Sequence, residues 1–379
     1  MISGGLTIQR LLAGMKRHSA SDLHIKVGVP PTYRINGVLR AIGNEPMSAE
    51  EADHLLDPII PARVRDRYDT TGDLDFACYN EEGDRFRVNM FRAGGHVSAA
   101  IRRVKAEIPT YEALHLPPIY NTLIERTNEG MILVVGVTGS GKSTTLAAMI
   151  EHINATRSEN IITFEDPVEY RFVPRKSIVS QREIGIDTPD YRQALRYMVR
   201  QDPDVIFIGE MRDHDTVLAA IQAAETGHLV FGSLHTADTM QAFNRILEFF
   251  QREEHAFIRS ALANTMRAIC AQRLLPAVED FARTHGGLGV VPATEVLINT
   301  PVVGDKIRDA QDADIPAIIN GSRAEGMMSF TQSLADLVKK DWVDLRTAMA
   351  YAPNRDALDS EIKGLDVRSK TLVSRIKSR

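Results

Sequence analysis

Cysteine is nearly absent: the 379 residues contain two, Cys78 and Cys270, far apart and with no Cys-x-x-Cys. That excludes a disulfide framework and a zinc ribbon, and it fits a reducing compartment. Tryptophan occurs once and aromatic residues make up 6%, so there is no basic and aromatic track of the kind that stacks single-stranded nucleic acid. Positive charge is not in excess either. The net charge is −5, which provides no global attraction to a polyanion, and nucleic acid is not an expected partner. No apolar run approaches the ~18 residues of a membrane span. The first stretch, MISGGLTIQRLLAGMKRHSASDLHI, alternates polar and apolar residues at helical spacing and has no signal-peptide core. A cytoplasmic location is expected, with membrane contact only through partners. An Asn-Lys-x-Asp guanine-reading motif is missing too, which disfavours GTP.

What is present is an ordinary globular balance, 44% hydrophobic and 25% charged. At roughly 150 residues per domain it predicts two or three domains, each with its own core. Residues 1–105 read as α+β: an amphipathic helix at 6–17, a meander through DLHIKVGVPPTYRINGVLRAI, and a helix near 48–60. Strands DLDFACYN and RFRVNMFRAGGHVSAAIRRV follow, the latter broken at Gly94-Gly95. The proline-rich stretch 106–118 reads as a linker. From 119 to 362, short apolar runs at 131–135, 161–164, 205–208 and 229–234 alternate with helical patterns, as in a parallel sheet with crossover connections. Residues 240–275 and 314–350 read as amphipathic helices. The basic end, 363–379, is expected to be disordered.

GVTGSGKST at 136–144 matches Gly-x4-Gly-Lys-[Ser/Thr] in full and lies between a predicted strand and a predicted helix. In such a loop backbone N–H groups cradle phosphate oxygens. Gly136, Thr138, Gly139, Ser140, Gly141, Lys142, Ser143 and Thr144 are therefore expected to hold nucleotide. Lys142 would reach the β- and γ-phosphates, and Ser143 would ligate magnesium. In open parallel sheets ligands bind at the carboxyl ends of the strands. Here strand 161–164 ends in Glu165-Asp166, strand 205–208 ends near Glu210, and strand 229–234 ends at His235. Glu210 is the candidate base for an attacking water, and His235 the candidate γ-phosphate sensor. P-loop ATPases usually place an Asp before that glutamate to help hold magnesium, but this chain has Gly209. Glu165 or Asp166, one strand over, is the natural replacement. His228 and His235 bracket an extended segment, and seven steps of about 3.3 Å part them by roughly 23 Å. His228 is assigned a structural or intersubunit role.

With these residues in view, the chain resembles the secretion-superfamily ATPases, and within them the PilT/PilU-type twitching-motility ATPases of type IV pili. The resemblance covers nearly the whole sequence. It rests on SDLHI, GVPPTYRINGVL, GVTGSGKSTTLAAMI, FEDPVEY, QREIGIDT, RQDPDVIFIGEMRD, TGHLVFGSLHT, MRAICAQRLLP and GMMSFTQSLADL. A glycine before the glutamate is a trait of the family. The resemblance implies a PAS-like N-terminal domain, a RecA-like motor domain, ATP and Mg2+ as cofactors, and a homo-hexamer with nucleotide at subunit interfaces. It also implies that arginines of the N-terminal domain reach the phosphates. Arg85, Arg87, Arg92, Arg102 and Arg103 match that region, with Arg92 and Arg103 taken as nucleotide contacts. The implied partners are a pilus inner-membrane platform protein and a paralogous pilus ATPase, at the cytoplasmic face of the inner membrane. Pilus-assembly and type II secretion relatives carry a tetracysteine zinc module, which two isolated cysteines exclude. Retraction is therefore the expected direction of work. At 304–311 this chain reads GDKIRDAQ, away from the AIRE-like motif of retraction ATPases, so primary and accessory motor both stay open.

Overall fold

The computed structural model describes residues 6–35, 37–104, 107–284 and 289–364. The predicted disordered end therefore lies, from residue 365 on, outside the described residues. The chain divides into two compact units. One comprises Met1–Glu107, Val168–Arg171 and Gly185–Pro189, and the other Ile108–Pro167, Phe172–Ile184 and Asp190–Arg379.

The first unit opens with helix Ile8–Arg17, capped by the Thr7 side chain and ending in Lys16 and Arg17, where cations suit the helix dipole. Ile8, Leu11, Leu12 and Met15 form its buried stripe. Six antiparallel strands follow: β1 (Ala20–Lys26), β2 (Thr32–Ile35), β3 (Val38–Ala41), β4 (Asp73–Tyr79), β5 (Arg85–Ala93) and β6 (His96–Arg103), in the order β3-β2-β1-β6-β5-β4. The β5–β6 hairpin turns at Gly94 and Gly95, both left-handed with φ of 63° and 82°, which glycine adopts without penalty. Helices Ala49–Leu56 and Ala62–Thr71 stand between β3 and β4.

The second unit holds a seven-stranded sheet: β7 (Gly130–Val135), β8 (Asn160–Glu165), β9 (Ile178–Glu183), β10 (Val205–Ile208), β11 (Leu229–Leu234), β12 (Met266–Pro276) and β13 (Val290–Ile298). Their order is β13-β12-β7-β11-β10-β8-β9, parallel throughout except for the antiparallel β12–β13 pair. The α/β class with a parallel sheet is thus as expected. Every residue of β7, β10 and β11 is buried, as strands covered on both faces must be. Helices Lys142–Thr156, Tyr191–Met198, His214–Glu225 and Thr239–Glu248 supply connections between the strands.

One expectation fails. Residues 240–275 are helical only as far as Thr265: helices Thr239–Glu248 and His255–Thr265 are followed by strand β12 from Met266. Its residues Ala268–Gln272 are all buried, and a run that is apolar at both parities cannot be told from a buried helix by periodicity. Residues 314–350 do form helices, Ile315–Gly321, Phe330–Lys339 and Leu345–Tyr351. Gly326, left-handed with φ of 94°, separates the first two, and Asp344 caps the third. Among the described residues, no helix is long and apolar enough to cross a membrane.

Candidate nucleotide site

The sheet order puts β11 between β7 and β10, so the loop after β7, His235 after β11, Glu210 after β10 and Glu165 at the end of β8 share one edge. Gly139 and Gly141 are left-handed, with φ of 80° and 88°. They turn the chain into helix Lys142–Thr156, whose first N–H groups point into the loop. Lys142 is buried and reaches back across the loop, its Nζ donating to the carbonyls of Gly136 at 2.8 Å and Val137 at 3.2 Å. Ser140 is 3% exposed, and its Oγ has no hydrogen-bond partner. The left-handed glycines, the N-terminus of the helix and the Lys142 ammonium together make a cradle whose chemistry fits phosphate.

Glu210 sits in a chain of polar contacts. The Arg212 guanidinium donates to its Oε2 at 2.6 Å, and His235 Nε2 lies 3.4 Å from its Oε1. His235 Nδ1 in turn lies 3.4 Å from the Thr138 hydroxyl in the phosphate loop. Partial burial pushes the Glu210 carboxyl up. The hydrogen bond from Arg212 and the charges of His235, Arg212 and Lys142 outweigh that and hold it below the usual glutamate range. Glu210 is therefore a carboxylate at neutral pH. Beside it a cavity of about 420 Å³, lined also by Arg212, His235, Gln241, Asn244 and Arg245, gives water access.

Glu165 and Asp166 behave differently from each other. Glu165 is 6% exposed, and its Oε1 accepts from the Thr163 hydroxyl at 2.6 Å and from Gln181 Nε2 at 3.0 Å. Asp166 is more exposed and faces Arg212 at 3.5 Å. The structure also accounts for Gly209. A Cβ there would lie 3.2 Å from the Cα of Glu165 and from the carbonyl oxygen of Phe164, and 3.4 Å from the Tyr191 hydroxyl. The Gly209 N–H donates to that same carbonyl at 2.7 Å. The two strand ends are drawn together there, so a side chain at 209 would force them apart.

Arg92 and Arg103 belong to the first unit. Arg92 lies 4.0 Å from Asp69 and over the Tyr68 ring at 5.4 Å, while Arg103 ends β6 opposite Phe86. Arg87 faces Asp75, and Arg102 donates to Asp22. His228 is held locally, its Nδ1 2.9 Å from the Ala223 carbonyl. Sequence reasoning missed two residues of the site. Arg212, two positions beyond Glu210, is legible in GEMRD as the nearest cation. Gln272 is buried against the phosphate loop and was hidden by the misread helix.

A family model described as Type II/IV secretion system protein matches residues 7–309. The chain belongs to this family. Within the family it is 35% identical over 347 residues to the type IV pilus retractation ATPase PilT of Pseudomonas aeruginosa, covering 92% of this chain and 98% of that one. It is 36% identical over 358 residues to the type IV pilus ATPase PilU of the same species, covering 94% and 92%. The crystal structure of the pilus retraction motor PilT with bound ADP superposes with a TM-score of 0.84 at 38% identity, over 94% of this chain and 99% of that one. Identity to PilT and to PilU is nearly equal and does not separate the two.

Proposed function

We propose that this chain is a motor ATPase that drives type IV pilus retraction and twitching motility, working as a homo-hexamer in the cytoplasm at the inner membrane. The observation that carries the chemistry is the Thr138–His235–Glu210–Arg212 chain, which ties the phosphate loop to an ionised carboxylate beside a water-accessible cavity. The names of the full-length relatives supply the physiology. A second reading, an accessory or low-turnover partner of a sister ATPase, is favoured by the likeness to PilU. A pilus inner-membrane platform protein is the partner through which either would act. Deleting the gene should leave cells piliated but non-motile. Cells that lose pili altogether would contradict a retraction role.

In the mechanism, Lys142 and the N–H groups of the loop bind the phosphates, with Gly136, Thr138, Gly139, Ser140, Gly141, Ser143 and Thr144 shaping the cradle. Glu210 takes the proton of the attacking water, and His235 positions Glu210 against Thr138 near the γ-phosphate. Among the described residues no three acidic, His or Cys side chains converge as a metal cage. The oxygen donors present fit a hydrated magnesium ion, which keeps several waters and prefers few carboxylates. Ser143 would hold it directly, and Glu165 or Asp166 through water. When bound, it neutralises charge on the β- and γ-phosphates. Arg92 and Arg103, from a PAS-like N-terminal domain (1–105) joined by linker 106–118 to the motor domain (119–362), would stabilise the γ-phosphate of a neighbouring subunit. Such arginines are worth about 10³–10⁵ in rate elsewhere.

Because Gly209 carries no carboxylate, Glu165→Ala or Asp166→Ala should raise the magnesium concentration at which fluorescent ATP binding is half-maximal. Unchanged magnesium dependence in both variants would mean that Ser143, phosphate and water hold the ion alone.

A further inference from the structure

We propose that two adjacent residues of β12, Gln272 and Arg273, are positioning residues that hold the two halves of the nucleotide site independently: Gln272 the phosphate loop, Arg273 the loop that carries His235. The inference rests on the reading of this site as one that binds and hydrolyses ATP.

Gln272 is 3% exposed, and both ends of its amide are committed. Its Nε2 donates to the Ser140 carbonyl at 2.7 Å, and its Oε1 accepts from the Thr145 hydroxyl at 2.8 Å. One side chain thus ties the crest of the loop to the first turn of the helix that follows. β12 lies beside β7 with Ala271 opposite Val135, so Gln272 comes level with the start of the loop. The glycines record how closely it approaches. A Cβ on Gly136 would lie 2.6 Å from the Gln272 carbonyl oxygen, and a Cβ on Gly141 2.7 Å from its Nε2. Two of the three glycines of the motif are therefore required in part by this residue. The glutamine amide offers this donor and this acceptor on one plane without a charge.

Successive side chains of a strand point to opposite faces, so Arg273 serves a different loop. Its guanidinium donates to the Ala237 carbonyl at 3.3 Å and to the Tyr351 carbonyl at 2.9 Å, and lies over the Phe330 ring at 4.2 Å. Ala237 is two residues beyond His235. Two residues further on, Thr239 donates from both N–H and hydroxyl to Glu295 on β13. The segment after His235 is thus tied to β12 and β13 at two points, and through Arg273 to the C-terminal helices.

The two residues should separate binding from turnover. Full-length Gln272→Met and Arg273→Met proteins would be compared with wild type by titration with a fluorescent ADP analogue, by steady-state ATP turnover and by melting temperature. Gln272→Met keeps the volume, removes both hydrogen bonds and should weaken ADP binding about tenfold or more, the equivalent of ~1.4 kcal/mol. Arg273→Met should bind ADP within about twofold of wild type while kcat falls about tenfold. Should Gln272→Met not fold, Thr145→Val, which removes one of the two bonds, must weaken ADP binding in the same direction. Unchanged ADP affinity in the glutamine and threonine variants would overturn the proposal, as would parallel loss of binding and turnover in both methionine variants. A wild-type protein that binds ADP yet does not turn over ATP would count against hydrolysis, while the binding comparison still decides between the two residues.

Discussion

Glu210→Gln protein is expected to bind ATP with near wild-type affinity and to hydrolyse it about 10²–10⁴-fold more slowly, the usual cost of losing a positioned general base. The substitution keeps the shape and leaves Lys142 and the loop untouched. An amide oxygen at the same place still accepts from Arg212, which now donates to Oε2 at 2.6 Å. What disappears is the capacity to take a proton. It is a capacity that Arg212, His235 and Lys142 keep available by holding the carboxyl ionised. As a depressed carboxyl, Glu210 loses its charge only when pH falls through its folded pKa, so at neutral pH the loss comes from the substitution alone. If the protein is a ring with arginines acting between subunits, Glu210→Gln subunits mixed into wild type should depress activity by more than dilution. Near wild-type turnover in the variant would remove Glu210 from its assigned role.

Lys142→Ala is expected to abolish both nucleotide binding and turnover. Lys142 is 8% exposed, and its ammonium bridges the Gly136 and Val137 carbonyls of the loop. The loop is therefore shaped around that charge. Alanine leaves the Gly136 and Val137 carbonyls without this donor, and it removes the cation proposed to meet the β- and γ-phosphates. Isothermal titration with ATP and a phosphate-release assay would measure the two losses, with circular dichroism to show that the fold survives. Retained ATP affinity would place the nucleotide somewhere other than this loop.

The phosphate loop was legible because it is local: one strand, nine residues and one helix specify it without reference to the rest of the chain. Glu165, Glu210 and His235 were legible because parallel strands end on one edge, so short apolar runs locate their last residues. The partners of those groups were not. Gln181 reaches Glu165 from the next strand, and Gln272 reaches Ser140 from more than a hundred residues away. Such pairings depend on strand order and register, which hydrophobic pattern does not encode. Strand β12 was misread for a related reason, since burial on both faces erases the alternation that marks a strand. The glycine at 209 looked in sequence like a missing carboxylate. In three dimensions its missing side chain leaves room for the close approach of β10 to the end of β8.

The measurement that bears most directly on a motor ATPase at this site is phosphate release by purified wild-type protein with ATP and magnesium, across a range of protein concentrations. Sustained multiple turnover is expected, with a rate per subunit that climbs as the concentration rises and neighbouring subunits meet. ATP bound at the loop but released unhydrolysed at every concentration would contradict it.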